Sequence, residues 1–272
     1  MKEIEDIVIG KNSIPALIIT IILMILITVC AVIYWRIKHR EETKFKYLLA
    51  GAAGFIVSAR VLELGVHYFC IILDNPVSRF INGNTAAFVL YGVIMAGVFE
   101  ECGRYIVLKY FMKKDRTREN AVFYGIGHGG IEVLLVILPG IISGLVVASI
   151  FSSMSTREAM TALQITKDNA SIALPSIQAA ASFGYGMMAL NVIERVFAML
   201  LHIGLTVIVY YGVVTSRIKY LPLAILMHML MDTFAALYQR GILPLWSVEV
   251  WCGIWAIAAI YIAAKLYAKL KD

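Results

Sequence analysis

The sequence predicts an all-α, polytopic membrane protein, a bundle of about seven transmembrane helices. Hydrophobic residues make up 61% of its 272 residues and charged residues only 15%, whereas soluble domains average about 45–50% and about 25%. The mean hydropathy is +0.83. The net charge of +6 does not indicate nucleic-acid binding, because most basic residues lie in short loops between apolar runs. Composition therefore excludes a soluble globular protein.

Seven apolar runs define the expected spans, which we treat as one integral-membrane domain over residues 1–272. A transmembrane helix needs about 20 predominantly apolar residues. Pro139-Gly140 is expected to kink or break the fourth span. The longest connection, residues 152–182, is long for an unstructured loop and is expected to hold an interfacial helix or lid. The expected spans are Ile14–Trp35, Tyr47–Leu73, Ala86–Met112, Ala121–Phe151, Gly184–Val214, Tyr220–Tyr238 and Leu243–Lys265.

The distribution of Lys and Arg predicts the orientation, because cytosolic loops carry an excess of both. If the loop Arg36–Lys46 is cytosolic, fifteen Lys and Arg residues fall on the cytosolic side and six on the outer side. The sequence therefore predicts an outside N-terminus and a cytosolic C-terminus. The expected location is a cell membrane, specifically the bacterial plasma membrane.

The third span contains the stretch Phe99-Glu100-Glu101-Cys102-Gly103-Arg104 inside an otherwise mostly apolar run. A charge in the hydrocarbon core costs at least about 2.5–3.5 kcal/mol, so charges kept there are usually functional or paired. Arg104 lies four residues after Glu100 and three after Glu101, and it can pair with either. A purely structural Glu100–Arg104 pair is one interpretation, but it leaves Glu101 unexplained.

The fourth span contains Tyr124-Gly125-Ile126-Gly127-His128-Gly129-Gly130-Ile131-Glu132. His128 and Glu132 are four residues apart and share a helix face. The glycines allow another backbone to approach closely. Glycine-mediated helix packing around one buried histidine is the structural alternative for this motif.

The fifth and sixth spans carry further polar residues inside the membrane. Glu194 and Arg195 are adjacent in the fifth span, and they are equally well explained as a structural ion pair. His202 lies seven residues after Arg195, on the same stripe of the helix. In the sixth span His228 and Asp232 are again four residues apart.

The depth of these residues links the four spans. At 1.5 Å per residue from the proposed cytosolic end, Glu100 lies about 14–18 Å deep, His128 about 12 Å, His202 about 18 Å and His228 about 13 Å. The helices run in alternating directions, so a repeat does not explain the coincidence. The sequence therefore predicts one polar layer between the midplane and the cytosolic face.

Three imidazoles and a carboxylate are what a catalytic zinc site requires. Zinc is commonly held by three protein ligands with a water in the open position. The metal lowers the pKa of that water to about 7, and a nearby glutamate can take its proton and deliver it to a leaving amine. This chemistry suits peptide hydrolysis within a membrane.

Together these motifs resemble the YhfC family of intramembrane metalloproteases, which is grouped with PrsW-type proteases and, more distantly, with CAAX prenyl endopeptidases and bacteriocin-immunity proteins. The resemblance rests on the four motifs in the third to sixth spans, within residues 86–240, the motif-bearing core. It implies that Glu100 or Glu101 activates water and that His128 and His228 ligate a metal or stabilise the transition state. The last motif ends in Asp232 where CAAX-type enzymes usually have asparagine, which argues against prenylated substrates.

We therefore expect a zinc-dependent intramembrane endopeptidase that cuts a membrane-associated protein near the cytosolic face. Glu100 is expected to be the general base, Glu101 its partner or an acid on the oxyanion side, and Arg104 the residue that orients both. Zinc (Zn²⁺) is expected on His128, His202 and His228. Supporting roles next to this site are expected for Glu132, Glu194, Arg195 and Asp232.

Two other classes of function fit the same residues. Buried carboxylates and histidines also form ion relays, so a proton- or metal-coupled transporter is one alternative, although the inverted repeats common in carriers are not evident. A non-catalytic immunity or binding protein on the same scaffold is another. The expected partners are the lipid bilayer and a membrane protein substrate.

The second span contains its own polar set, Arg60, Glu63 and His67. Their spacing places them along one stripe of a helix, where they can neutralise one another. We interpret this set as structural.

Overall fold

The computed structural model describes residues 2–270, and in that range it is helical without β-strands. Seven helices are long and apolar enough to cross a membrane, so the predicted fold class is confirmed. The chain is a multi-pass membrane protein. Four short helices accompany the spans. The helices of the described residues are α1 (Lys2–Glu5), α2 (Ser13–Lys38), α3 (Phe45–Ile72), α4 (Pro76–Gly83), α5 (Thr85–Phe111), α6 (Arg118–Ser153), α7 (Thr156–Ala162), α8 (Ala170–Ala181), α9 (Tyr185–Val214), α10 (Tyr220–Gln239) and α11 (Leu245–Lys269).

The seven spans coincide with the seven predicted apolar runs to within a few residues at each end. The charge-based orientation of the termini stays a prediction. Labelling of single cysteines introduced at positions 115 and 165, from one side of the membrane at a time, tests it. The cytosolic side is expected to label 115 and the outer side 165.

Proline in the fourth span does not break the helix. Helix α6 continues past Pro139, and the turn immediately before it, Val133–Ile137, is π-helical. Proline has no N–H to donate and its ring clashes with the carbonyl four residues earlier. A widened turn at that place accommodates both effects, so of the expected kink or break the structure shows no break but an irregular turn.

The packing divides the chain into two compact units. The first unit consists of the residues up to Ile27 together with Val133–Ile193. It contains α7 and α8, so the connection of residues 152–182 is helical, as expected of an interfacial element. Ser155 and Glu158 form a capping box that starts α7. Apolar residues of α1, α7 and α8 pack together: Ile4, Met160, Ala170 and Ile177.

The second unit consists of Thr28–Glu132 and Glu194–Asp272 and holds all of the predicted site residues. Helix α9 is the most buried span, with 78% of its apolar window inside the protein against 17–39% for the others. A helix in that position is surrounded by neighbours and can present side chains to several of them. The prediction of a single domain over residues 1–272 stays a prediction.

Close contact between α3 and α6 depends on glycine. A Cβ added at Gly51 would lie 2.0 Å from the Tyr124 carbonyl oxygen, and one at Gly127 would lie 2.0 Å from the Leu48 carbonyl oxygen. No side chain fits at either distance, so the two backbones touch. This contact fixes the height and rotation of the α6 segment that carries His128.

Candidate functional site

Helices α5, α6, α9 and α10 bring their polar residues into one cluster in the second unit. The ring centroids of His128 and His202 are 4.9 Å apart, and those of His202 and His228 are 5.4 Å apart. All three imidazoles are buried. The predicted convergence of four helices is therefore present in the structure.

Glu101 is the glutamate that pairs with Arg104. Its Oε2 lies 3.1 Å from Arg104 Nε, and both side chains are fully buried. Its Oε1 lies 2.9 Å from Nδ1 of His228. A carboxylate can only accept, so Nδ1 of His228 donates to it. Glu101 thus joins α5 to α10 and fixes the orientation of the His228 ring.

Arg104 also reaches α9 and sets the tautomer of His202. Its Nη1 donates to the His202 carbonyl oxygen at 2.6 Å and to the hydroxyl of Thr206. Its Nη2 lies 3.0 Å from Nδ1 of His202. Arginine has no acceptor, so Nδ1 accepts this bond, and the neutral imidazole carries its proton on Nε2.

Glu132 accepts a hydrogen bond from this Nε2–H group of His202. Its Oε2 lies 2.6 Å from Nε2 of His202, and its Oε1 accepts a 2.9 Å bond from Nη1 of Arg195. Arg195 also pairs with its neighbour Glu194. The adjacent residues Glu194 and Arg195 therefore do form an ion pair. The pair is also connected to the histidine cluster through Glu132.

Glu100 is less constrained than Glu101. Its Oε2 lies 3.0 Å from Nε2 of His128 and 4.0 Å from Nε2 of His228. Its Oε1 has no hydrogen-bond partner among the described residues, and its side chain is 10% exposed whereas that of Glu101 is 0% exposed. Of the two glutamates, Glu100 alone has an unpaired oxygen that water can reach. Nε2 of His228 also lies 3.4 Å from Asp232.

The donor set fits a metal ion. Ligand atoms of Glu100, His128 and His202 all lie within 4.8 Å of one another. Carboxylate oxygen and imidazole nitrogen are both zinc donors. Nδ1 of His128 is buried without a hydrogen-bond partner among the described residues, so no second hydrogen bond fixes the tautomer of that ring. In this set Glu100 stands where the sequence predicted a third histidine, His228.

The three histidines also differ in which of their ring nitrogens are hydrogen-bonded. Both nitrogens of His202 are occupied, Nδ1 by Arg104 and Nε2 by Glu132. His228 has the opposite arrangement, because its Nδ1 donates to Glu101 and leaves Nε2 facing Glu100 and Asp232. A histidine whose Nδ1–H is held by a carboxylate is the usual form of a metal ligand. By this criterion His228 is a better ligand than His202.

Two buried polar residues near this cluster were not predicted from the sequence. Thr206 bonds to both Arg104 and the His202 carbonyl oxygen, and it lies four residues after His202. The helical spacing that linked His128 to Glu132 would have found it. Glu249 in α11 is buried, and neither of its oxygens has a partner among the described residues. In the sequence, only its position as a lone carboxylate in an apolar run marks Glu249 as unusual.

Comparison with known proteins identifies relatives of the chain. The model of the YhfC intramembrane metalloprotease family matches residues 23–252. A Bacillus subtilis protein described as "Uncharacterized membrane protein YhfC" is 34% identical over 230 residues, which cover 84% of this chain and 87% of the relative. No solved structure matches the chain.

Proposed function

Because the chain belongs to the YhfC intramembrane metalloprotease family, we propose that it is an endopeptidase that hydrolyses a peptide bond of a membrane-associated protein. One observation carries this proposal. Glu100 presents an unpaired carboxylate oxygen, with its other oxygen beside His128, in a cluster that four helices enclose. A buried carboxylate that can receive a proton from water is the group that peptide hydrolysis requires.

Glu100 is the general base in this proposal. Its Oε1 takes a proton from the attacking water and later passes it to the leaving amine. Glu101 does not compete for this role, because its two oxygens face Arg104 and His228. Two adjacent carboxylates in one buried site therefore have different tasks, one chemical and one that positions His228.

His128 and His228 are the residues that would hold zinc, which leaves Glu100 free to act as the base. A bound zinc ion supplies a Lewis acid and lowers the pKa of a bound water to about 7. Asp232, 3.4 Å from Nε2 of His228, is a further carboxylate within reach. His202 has a positioning role, because Arg104 and Glu132 use both of its nitrogens.

Arg104 and Arg195 keep the cluster assembled. Arg104 joins Glu101 on α5 to His202 and Thr206 on α9, and Arg195 holds Glu132 of α6. Each arginine neutralises carboxylates that would otherwise repel one another at this depth. With the predicted orientation, water and the substrate reach this layer from the cytosolic face.

The test is to profile new protein N-termini in membranes of cells that express the wild type, Glu100→Gln or Glu63→Gln. Glutamine keeps the shape of glutamate but cannot act as the base, so Glu100→Gln should reduce the fragments by about 10²-fold or more. Glu63 is the matched control, because it is also a buried intramembrane glutamate beside a histidine. Identical fragment sets from all three would contradict the proposal.

A further inference from the structure

An apolar groove of about 480 Å³ lies between α3 and α5, on the opposite side of α5 from the histidine cluster. Small residues form its floor, because the helices touch there. A Cβ added at Gly103 of α5 would lie 2.7 Å from Ser58 Cβ of α3. Larger side chains that are about half exposed form the rims: Val57, Leu62 and Ile106.

The groove is long and its lining is apolar throughout. On α3 it extends from Ala50 to Leu62, which is about 18 Å at the helical rise. A hydrocarbon chain that lies along this length gains dispersion contacts at about 4 Å with the aliphatic and aromatic side chains of both helices.

An extended peptide does not match the groove, because its backbone needs hydrogen-bond partners that the lining lacks. Of the groove-lining side chains, only Ser58 and Cys102 carry a polar group. The Ser58 hydroxyl already donates to the Gly54 carbonyl oxygen at 2.7 Å. A peptide there would leave its N–H and C=O groups without partners, which costs several kcal/mol for each group in a membrane. The occupant is therefore a hydrocarbon chain.

One end of the groove is basic and the other lies inside the spans. At the first end, Lys46 precedes Ala50 by one helical turn, and Lys109 precedes Phe111 by two residues. Lys113 and Lys114 follow, both exposed. The other end, at Leu62 and Val98, is at least ten residues from the nearer terminus of its helix. A chain therefore enters at the basic end, where clustered lysines attract anionic headgroups.

We propose that this groove binds one acyl chain of an anionic phospholipid, whose phosphate lies against the lysines at the ends of α3 and α5. The apolar lining favours a hydrocarbon chain, and the lysines favour a negatively charged headgroup. The proposal is independent of protease activity, and its test measures bound lipid.

Native mass spectrometry of the purified full chain in detergent tests it, with dioleoyl-phosphatidylglycerol and dioleoyl-phosphatidylcholine as matched probes. Ala53 is exposed in the groove, so Ala53→Trp fills it without disturbing a packed site. Val61→Trp is the control, because Val61 is 58% exposed on the same helix but does not line the groove. Val57→Trp is a second filling variant, and thermal unfolding checks that each variant is folded.

The wild type and Val61→Trp are expected to retain one phosphatidylglycerol per chain, bound at least tenfold more tightly than phosphatidylcholine. Ala53→Trp and Val57→Trp should weaken this binding at least tenfold. A Lys109→Gln, Lys113→Gln double variant, which leaves the Lys46–Asp115 ion pair in place, should remove the headgroup preference. If folded Ala53→Trp and Val57→Trp bind phosphatidylglycerol as tightly as the wild type, the proposed site is wrong. It is also wrong if Val61→Trp loses as much affinity for this lipid as they do. Equal binding of both lipids by the wild type would overturn the anionic assignment.

Discussion

Glu63 and His67 in α3 and His128 and Glu132 in α6 are both a carboxylate and a histidine four residues apart on one helix, but the two pairs behave differently. In α3, Glu63 contacts its own neighbour on the helix, with Oε1 3.2 Å from Nε2 of His67. The other nitrogen of His67 bonds to the Tyr91 hydroxyl of α5 at 2.8 Å. In α6, His128 and Glu132 instead contact different helices, His128 through Glu100 of α5 and Glu132 through His202 of α9.

The difference shows what makes an intramembrane polar pair a candidate site. A pair that is satisfied within its own helix needs little more from the rest of the fold. When the two members of a pair contact different helices, the position of each side chain depends on how all of those helices pack. The cluster around Glu100 is of the second kind, and we expect variants there to have larger effects than matched variants in α3.

The largest expected effect is on stability and compares the two arginines Arg104 and Arg60. Arg104→Leu leaves the fully buried Glu101 without its ion-pair partner, and breaking a buried pair in this way costs about 3–5 kcal/mol. Arg60 is exposed, so Arg60→Leu leaves no buried carboxylate without its partner and should lower stability far less than Arg104→Leu. Unfolding in detergent, followed by circular dichroism against temperature and denaturant, measures both. Similar losses in the two variants would remove the distinction between the regions.

The second comparison concerns the zinc content of the variants. Inductively coupled plasma mass spectrometry of the purified wild type is expected to find about one zinc per chain. His128→Ala and His228→Ala should each reduce zinc affinity by at least about tenfold, the lower bound for a lost supporting group. His67→Ala, in α3, should retain zinc. His202→Asn separates the assigned roles, because a positioning residue should lower affinity less than the two ligands. Fully folded wild type without metal that still cleaves proteins would contradict the zinc assignment.

A smaller effect is expected for Glu63→Gln. The amide can still form a hydrogen bond with His67, so the expected loss of stability is about 0.5–1.5 kcal/mol, and fragments and zinc content should be unchanged. The same measurements as for the cluster variants apply. Loss of proteolysis in a folded Glu63→Gln protein would extend the functional site into α3.

The smallest expected effect lies outside the spans, at Asp115. Hydrogen bonds from Lys44, Lys46 and Tyr47 hold the pKa of Asp115 well below its usual range. A lowered pKa means that the charge stabilises the fold above about pH 4 and that this contribution is lost as the pH falls through the folded-state value. Asp115→Asn should therefore unfold at a slightly lower temperature than the wild type at pH 7, and 0.5 M NaCl should reduce the difference. A difference that grows in acid would contradict this assignment.

Much of the fold was predictable from the sequence because membrane insertion imposes a strong local rule. A span must be about 20 apolar residues long, and that rule located all seven helices without any knowledge of their packing. The same rule made the buried charges conspicuous, so residues of four helices were assigned to one layer. Glu249, a lone carboxylate without a spaced partner, was not recognised.

The sequence by itself determined the helices, the residues that share each helix face and the set of groups that need partners. It left open whether Arg104 pairs with Glu100 or Glu101, because both lie within one helical turn of it. Only the tertiary structure decided that Glu101 takes Arg104 while Glu100 keeps a free oxygen, and that both nitrogens of His202 are occupied. These choices depend on distances between α5, α6, α9 and α10, and helical periodicity contains no information about contacts between helices.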